Sequence, residues 1–260
     1  MHAHQPSYAT RINEPGHRIS TLTYPGHPFP PDLCSVISKL PEGFAEVALS
    51  RSIAVEFISF LLKITELTGW ISLPEYHRSI TPQPGITMQR AIYDLQCFSA
   101  LPLNPIEAQI VRAVLAFCLH LYNEMSFRIP LARPLRPLLE AFNGQSDLPR
   151  QPWLQRCLLW CAMVIASSWD TQIDASPERH VVLDKLATET REAKTWELTE
   201  GTMRKFLWYD GLADEWEVCW RATAFRNRRR RRGASQFESI SQLLIESGPN
   251  SDAPSSDEQL

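Results

Sequence analysis

Apolar residues recur at helical spacing along most of the chain, and prolines separate one such segment from the next. No stretch alternates between apolar and polar residues between turn signals, as a half-buried strand would. Capping and first-turn residues mark several helix starts, among them Asn104 with Pro105, and Thr195. The sequence therefore predicts an all-α protein. The predicted helices cover residues 33–40, 50–68, 86–100, 105–127, 135–142, 150–169, 177–189 and 196–209, and a last one starts near 213.

Composition divides the chain into three parts. Residues 1–30 hold five prolines and four histidines with little apolar periodicity, which predicts a disordered or loosely packed arm. Residues 31–232 carry the helical pattern, and we expect them to form one multi-helix domain with a sizeable core. Residues 233–260 are predicted to be a disordered acidic tail with a short amphipathic segment at 237–244.

The sequence predicts neither a membrane span nor a leader peptide. Its most membrane-like stretch, CLLWCAMVIASSW at 157–169, has thirteen residues, whereas a spanning helix needs about 20. The N-terminus lacks a charged start followed by an apolar block and a small-residue cleavage site. We therefore expect an intracellular protein without a membrane partner.

Motifs of the common enzyme classes are missing from the sequence. The ten glycines form no GxGxxG or GxxxxGK phosphate cradle, and neither a GxSxG elbow nor an HExxH zinc motif occurs. The six cysteines are scattered, without a CxxC pair or a zinc-finger spacing. We therefore predict a protein that is not an enzyme and has no catalytic residue, no cofactor and no structural metal.

Two local groups of polar residues could still hold a metal ion. His120 and Glu124 are one helical turn apart, close to Cys118, but a polar pair at the edge of a core helix explains them better because no further ligand has a typical spacing. Asp170 and Asp174 faintly resemble the magnesium-binding aspartates of helical terpene cyclases. That family needs adjacent acids and a second acidic site, so capping and turn aspartates are the preferred interpretation.

Tryptophans are concentrated in the second half of the chain. They could stack on nucleic-acid bases, but the residues around them are acidic rather than basic. Their helical spacing instead predicts core packing. The predicted core residues of this region are Trp160, Trp196, Phe206, Trp208, Trp216 and Trp220.

The same region resembles the fungal-specific transcription factor domain, the all-helical regulatory region that follows the binuclear zinc cluster in many fungal regulators. The matching pattern consists of an apolar LLW helix at 158–160, then Trp196, then the FLW triplet at 206–208, and then Asp210 and Trp216. The helix EAQIVRAVLAFCLHLYNE at 107–124, with its Glu107 and Arg112, is also similar to the family's preceding helix. The resemblance covers residues 86–222.

This resemblance implies a nuclear transcription regulator that works through protein partners, on metabolic or secondary-metabolite genes. The zinc cluster of the family needs six cysteines near the N-terminus, and this chain has none before Cys34. Specific DNA binding is therefore not implied. The alternatives are a helical enzyme of terpenoid type that uses Asp170 and Asp174, and a nonspecific nucleic-acid binder.

One basic run, FRNRRRRRG at 225–233, stands out in this chain. Without its six arginines the chain holds 20 basic and 29 acidic residues, so the remaining surface should repel phosphate. The run can be a nuclear localisation signal read by an import receptor, a nucleic-acid contact or a solvated helix end. We predict the localisation signal, formed by Arg226, Arg228, Arg229, Arg230, Arg231 and Arg232.

We also expect the last helix to fray within this run. Arg226 with Arg230, and Arg228 with Arg232, are like charges one turn apart, and each such pair costs about 0.2–0.5 kcal/mol. Gly233 follows directly. A frayed, extended run is the form that an import receptor would bind.

Overall fold

A computed structural model describes residues 21–50, 52–125, 151–168 and 181–246. These residues form ten α-helices, a short 3-10 turn at Asp210–Leu212 and no strand, which confirms the predicted all-α class. The helices are α1 (Pro31–Ile37), α2 (Glu42–Leu49), α3 (Val55–Ile71), α4 (Glu75–Ile80), α5 (Met88–Ser99), α6 (Pro105–Met125), α7 (Pro152–Ser167), α8 (Val181–Glu189), α9 (Trp196–Met203) and α10 (Ala213–Glu246).

Helix α7 lies at the centre of the domain. Eleven of its 16 residues are buried, and a helix that is apolar on all sides needs neighbours on all sides. It packs against α2, α6, α8, α9 and α10. The stretch at 157–169 that looked most membrane-like in the sequence is thus largely the middle of a globular core.

An aromatic cluster joins α7 to α2 and to the turn after α9. The Trp160 ring stacks on Phe206 with 5.7 Å between centroids, and Phe44 meets both rings edge-on at 5.2 and 5.1 Å. Gly43 makes this approach possible, since a Cβ atom there would lie 2.3 Å from the Phe206 ring. Its N–H also donates to the Lys205 carbonyl oxygen at 2.7 Å.

Helix α6 begins where the sequence predicts. The Asn104 side chain accepts a hydrogen bond from the Glu107 N–H at 2.9 Å and donates one to the Ser52 carbonyl oxygen at 2.6 Å. Among the described helices, α6 alone is long and apolar enough over 105–123 to cross a membrane, yet 67% of that stretch is buried inside the fold. It packs there against α5 and α7.

Residues 22–30, predicted to be part of a disordered or loosely packed arm, form an extended segment that lies against the core. The Val55 N–H donates to the Thr23 carbonyl oxygen at 2.8 Å, and the Tyr24 hydroxyl donates to Glu107 at 2.5 Å. Leu22 and Phe29 are partly buried on the core, and Pro25 is buried. An extended segment has no helical periodicity, so only these tertiary contacts reveal it. Residues 1–20 lie outside the described residues.

Helix α10 also differs from its prediction, since it continues through the arginines and Gly233 to Glu246. Residues 233–246, assigned to a disordered tail, are therefore helical. One interior glycine costs about 1 kcal/mol relative to alanine, and the next proline is Pro249. Residues 247–260 fall outside the described part of the chain.

The remaining helix predictions differ mainly in their ends. The helix predicted at 50–68 is α3, and the one predicted at 196–209 ends at Met203 before a turn. Thr195 caps α9 as predicted, since its hydroxyl accepts from the Leu198 N–H at 3.4 Å. The short helices α2 and α4 were not predicted. The helix predicted at 135–142 lies outside the described residues.

Candidate functional site

The basic run lies on α10, a helix whose N-terminal half belongs to the core. Its first turn carries Asp214 and Glu215, which suit the positive end of the helix dipole. Its inward face then buries Trp216, Thr223 and Asn227, and this face packs on α7 and α8. The arginines begin on this packed part of the helix, where neighbouring side chains can fix them.

Asp184 of α8 holds two of these arginines. Its side chain is 2% exposed, and Arg226 approaches Oδ1 with Nη2 at 2.8 Å and Nε at 3.2 Å. The Arg230 Nη1 lies 3.0 Å from the other carboxylate oxygen, Oδ2. One buried carboxylate thus accepts charge-assisted hydrogen bonds from Arg226 and forms an ion pair with Arg230.

Two polar residues of α10 fix the same contact. The Asn227 Nδ2 donates to the Asp184 carbonyl oxygen at 3.0 Å, so α8 is bound through its main chain as well. The Arg226 Nη2 also donates to the Thr223 hydroxyl at 2.8 Å, and that hydroxyl donates to the Cys219 carbonyl oxygen at 3.0 Å. These bonds set the rotation of α10 about its own axis against α8. We call this network the Asp184 anchor.

The anchor explains why the expected fraying is absent. Arg226 and Arg230 are the like-charged pair that was expected to open the helix, but the Asp184 carboxylate lies between their guanidinium groups. Attraction to that carboxylate opposes the repulsion between the two arginines. The prediction of an extended run is therefore wrong, because residues 226–232 are all helical.

The anchor also divides the predicted localisation signal. Arg226 is part-buried and Arg230 exposed, and both are paired with Asp184. Arg228 and Arg229 are exposed, with no ion-pair partner among the described residues. Arg231 and Arg232 belong to the same helix, and their side chains lie outside the described ones.

The predicted core residues fall into two groups. Trp160, Phe206 and Trp216 are buried, as predicted. Trp196, Trp208 and Trp220 pack against the core at its edge, where each keeps a minor part of its surface exposed. The indole N–H of Trp220 donates to the Ala193 carbonyl oxygen at 3.2 Å, and that of Trp208 donates to Asp210 at 2.6 Å. An indole that reaches a polar partner near the surface can stay partly exposed.

The candidate metal ligand His120 has a different partner from the one its spacing suggests. It is buried, its Nε2 lies 2.8 Å from Oε2 of Glu215 on α10, and its Nδ1 lies 3.4 Å from the Ser168 hydroxyl. The side chain of Glu124 is outside the described ones. No group of three or more histidine, cysteine or acidic side chains in the described ranges is placed to bind a metal ion.

Ser168, His120 and Glu215 form a line that resembles a catalytic triad, but its geometry does not fit nucleophilic catalysis. The Ser168 hydroxyl is 4% exposed and donates to the Val164 carbonyl oxygen at 2.5 Å. A serine nucleophile must give its proton to the histidine and face the substrate. We interpret the line as a polar contact between α6, α7 and α10.

The buried cysteines also fit a packing role. Burial raises the pKa of the Cys118 thiol well above its ordinary value. It does the same to the pKa of Cys161, which lies next to Cys157 on α7. A thiol with a raised pKa is a poor nucleophile and a poor metal ligand at neutral pH.

Asp184 is the residue that sequence reasoning missed. It is an acidic residue within the apolar sequence VVLDKL, where it could equally face solvent. The available signal was an acidic residue next to the apolar residues 181–183, together with a basic run elsewhere that could pair with it. Asp170 and Asp174, the candidates for a magnesium site, lie outside the described residues.

No protein-family model matches the sequence, and comparisons with curated proteins and with solved structures also gave no match.

Proposed function

We propose that the chain is a nuclear transcription regulator that acts through protein contacts of its helical domain. The proposal follows the resemblance of residues 86–222 to the fungal-specific transcription factor domain. The packing of the matching residues is compatible with it, since Trp160, Phe206 and Trp216 are buried around α7. By the same resemblance, the regulated genes are metabolic, including secondary-metabolite genes.

One observation carries the nuclear part of this proposal. In a chain that is otherwise acidic, Arg228 and Arg229 are exposed and have no ion-pair partner among the described residues. Together with Arg231 and Arg232 they form a cluster of basic positions beside the anchored pair. Clusters of this kind are typical of nuclear import signals.

The Asp184 anchor determines how the signal should be tested. Replacing all six arginines would also remove both partners of a buried carboxylate, so a loss of import could result from misfolding. The informative variant replaces Arg228, Arg229, Arg231 and Arg232 with serine and keeps the anchored pair. In a tandem fluorescent fusion too large for passive entry, this variant should move from the nucleus to the cytoplasm.

A matched control removes the same charge elsewhere. Four exposed basic residues outside the run, replaced together by serine, should leave the fusion nuclear; they are Arg90, Arg191, Lys194 and Arg204. Circular dichroism of both purified variants should match the wild type. A four-arginine variant that still concentrates in the nucleus would show that the run is not the import signal.

The alternatives make different predictions. Nonspecific nucleic-acid binding would retard any DNA duplex in a strongly salt-dependent manner. A terpenoid-type enzyme would turn over an isoprenoid diphosphate only with magnesium. No contact of the described residues favours either alternative over the regulator.

A further inference from the structure

The outward face of α10 carries an apolar stripe. Val218 and Phe225 are 63% and 67% exposed and lie two helical turns apart, with the exposed Ala222 between them. At about 100° per residue these three positions share one side of the helix, roughly opposite the buried Trp216 and Thr223. We call Val218, Ala222 and Phe225 the outer stripe.

The spacing of the outer stripe matches the way helices recognise one another. Apolar residues at i, i+4 and i+7 form the contact line of an amphipathic helix laid against a partner helix. Aromatic side chains are enriched at the centre of protein interfaces. Nothing in the described part of the chain requires these side chains to be apolar, because they are exposed there.

The charges beside the stripe determine what the partner must carry. Arg228 and Arg229 lie one helical turn after Phe225 and have no ion pair among the described residues. Arg221 lies between Val218 and Ala222 and pairs with Glu217 at 2.6 Å. The C-terminal end of the stripe is therefore strongly basic, so a complementary partner has acidic residues there.

A nucleic acid fits this face less well than a protein. Phe225 could stack on a base, but Val218 and Ala222 offer neither a hydrogen bond nor a charge to a nucleotide. The stripe also begins beside Asp214 and Glu217, which repel phosphate. The chain's own acidic residues 251–260 (SDAPSSDEQL) lack apolar residues at helical spacing, so they are a poor match as well.

We propose that the outer stripe of α10 binds an acidic amphipathic helix of a partner protein, with Phe225 at the centre of the contact and Arg228 and Arg229 pairing with the partner's carboxylates. This inference depends on the proposed function only in that the partner is a protein. Its test uses purified protein and is independent of nuclear import. A negative result in the import test therefore does not contradict the binding proposal, and a negative result in the binding test does not contradict nuclear import.

The test is a selection from a displayed library of 20-residue peptides without charge bias, using the full chain as the target. Enriched peptides should contain apolar residues at i, i+4 and i+7 and an excess of Asp and Glu. Phe225→Ala should weaken their binding by about tenfold or more, as expected for a central aromatic contact. Added salt should weaken it further, because the arginine contacts are exposed.

Tyr76→Ala is the matched control, since Tyr76 on α4 is 72% exposed and aromatic as well. It should leave the affinity of the selected peptides unchanged. Enriched peptides without an acidic excess, or binding that is equal before and after Phe225→Ala, would overturn the proposal. Tighter, Phe225-dependent binding of a 20-base-pair DNA duplex would assign the face to nucleic acid instead.

Discussion

The interior around α7 is almost entirely apolar, whereas the seam between α8 and α10 depends on one carboxylate. In the interior, Trp160, Phe44 and Phe206 fit together by shape, and the Trp160 N–H finds the Leu207 carbonyl oxygen at 3.0 Å. In the seam, Asp184 holds Arg226 and Arg230 by charge and hydrogen bonds. In the first region, many small packing contacts together stabilise the fold. In the second, one carboxylate is the charged centre of a small hydrogen-bond network that joins α8 to α10.

This difference implies different responses to substitution. Removing a large side chain from the interior leaves a cavity that close-packed neighbours cannot fill. Removing Asp184 leaves two guanidinium groups that are partly exposed and can turn toward water. The first change should lower global stability more, and the second should mainly loosen α10.

The largest effect is expected for Trp160→Ala. Trp160 is fully buried between two aromatic rings, so its loss should lower the free energy of unfolding by about 3–5 kcal/mol. Trp208→Ala is the comparison, because Trp208 is half-buried and its indole N–H binds an exposed aspartate. It should cost roughly half as much or less. Chemical denaturation measures both, and equal losses would contradict the division into buried and edge tryptophans.

Gly43→Ala should also destabilise the interior, by about 1–3 kcal/mol, because the new methyl group would overlap the Phe206 ring. Gly69→Ala provides a control with the opposite sign. Gly69 lies on the exposed side of α3 with open space around it, so alanine there should stabilise the helix by about 0.5–1 kcal/mol. If both variants changed the unfolding midpoint in the same direction, the close approach of Phe206 to α2 would be in doubt.

Asp184→Asn tests the seam. It should lower the free energy of unfolding by about 1–3 kcal/mol, since it removes a buried partner of two arginines. It should also restore the repulsion between Arg226 and Arg230, so amide hydrogen exchange should accelerate along residues 224–233. Glu217→Gln removes the i, i+4 partner of the exposed Arg221 and should cost about 0.5 kcal/mol or less. Unchanged exchange in Asp184→Asn would show that the helix does not need its anchor.

The sequence predicts the apolar interior better than it predicts the polar contacts between distant segments. Periodicity and side-chain volume are local properties, so they predicted most of the long helices and the buried Trp160 and Trp216. The role of Asp184 was not predictable, because its burial is created by α10, which lies more than twenty residues further along the chain. The packing of residues 22–30 was missed for the same reason: an extended segment carries no periodic signal, and its partners lie on α3 and α6.

The smallest effect is expected at Glu107, which forms a second polar contact, between the core and the extended segment at 22–30. Its carboxylate accepts hydrogen bonds from the Tyr24 hydroxyl and from the Ala54 N–H at 2.8 Å. Burial raises the pKa of Glu107, and the hydrogen bond from Tyr24 lowers it in part. Partial burial, aided by the hydrogen bond to Glu107, raises the pKa of Tyr24 to about 12.

The sign of the pH dependence follows from the raised pKa of Glu107. The folded protein holds the Glu107 proton to higher pH than the unfolded chain does, so the stability it contributes is complete below the ordinary glutamate pKa of about 4.3. That stability is lost as the pH rises through the raised pKa. Because glutamine does not titrate, Glu107→Gln should remove this loss above pH 4.3, measured as the unfolding free energy at several pH values. Glu66→Gln, on the exposed side of α3, removes the same charge without touching Tyr24; an identical pH profile in the two variants would contradict the assignment.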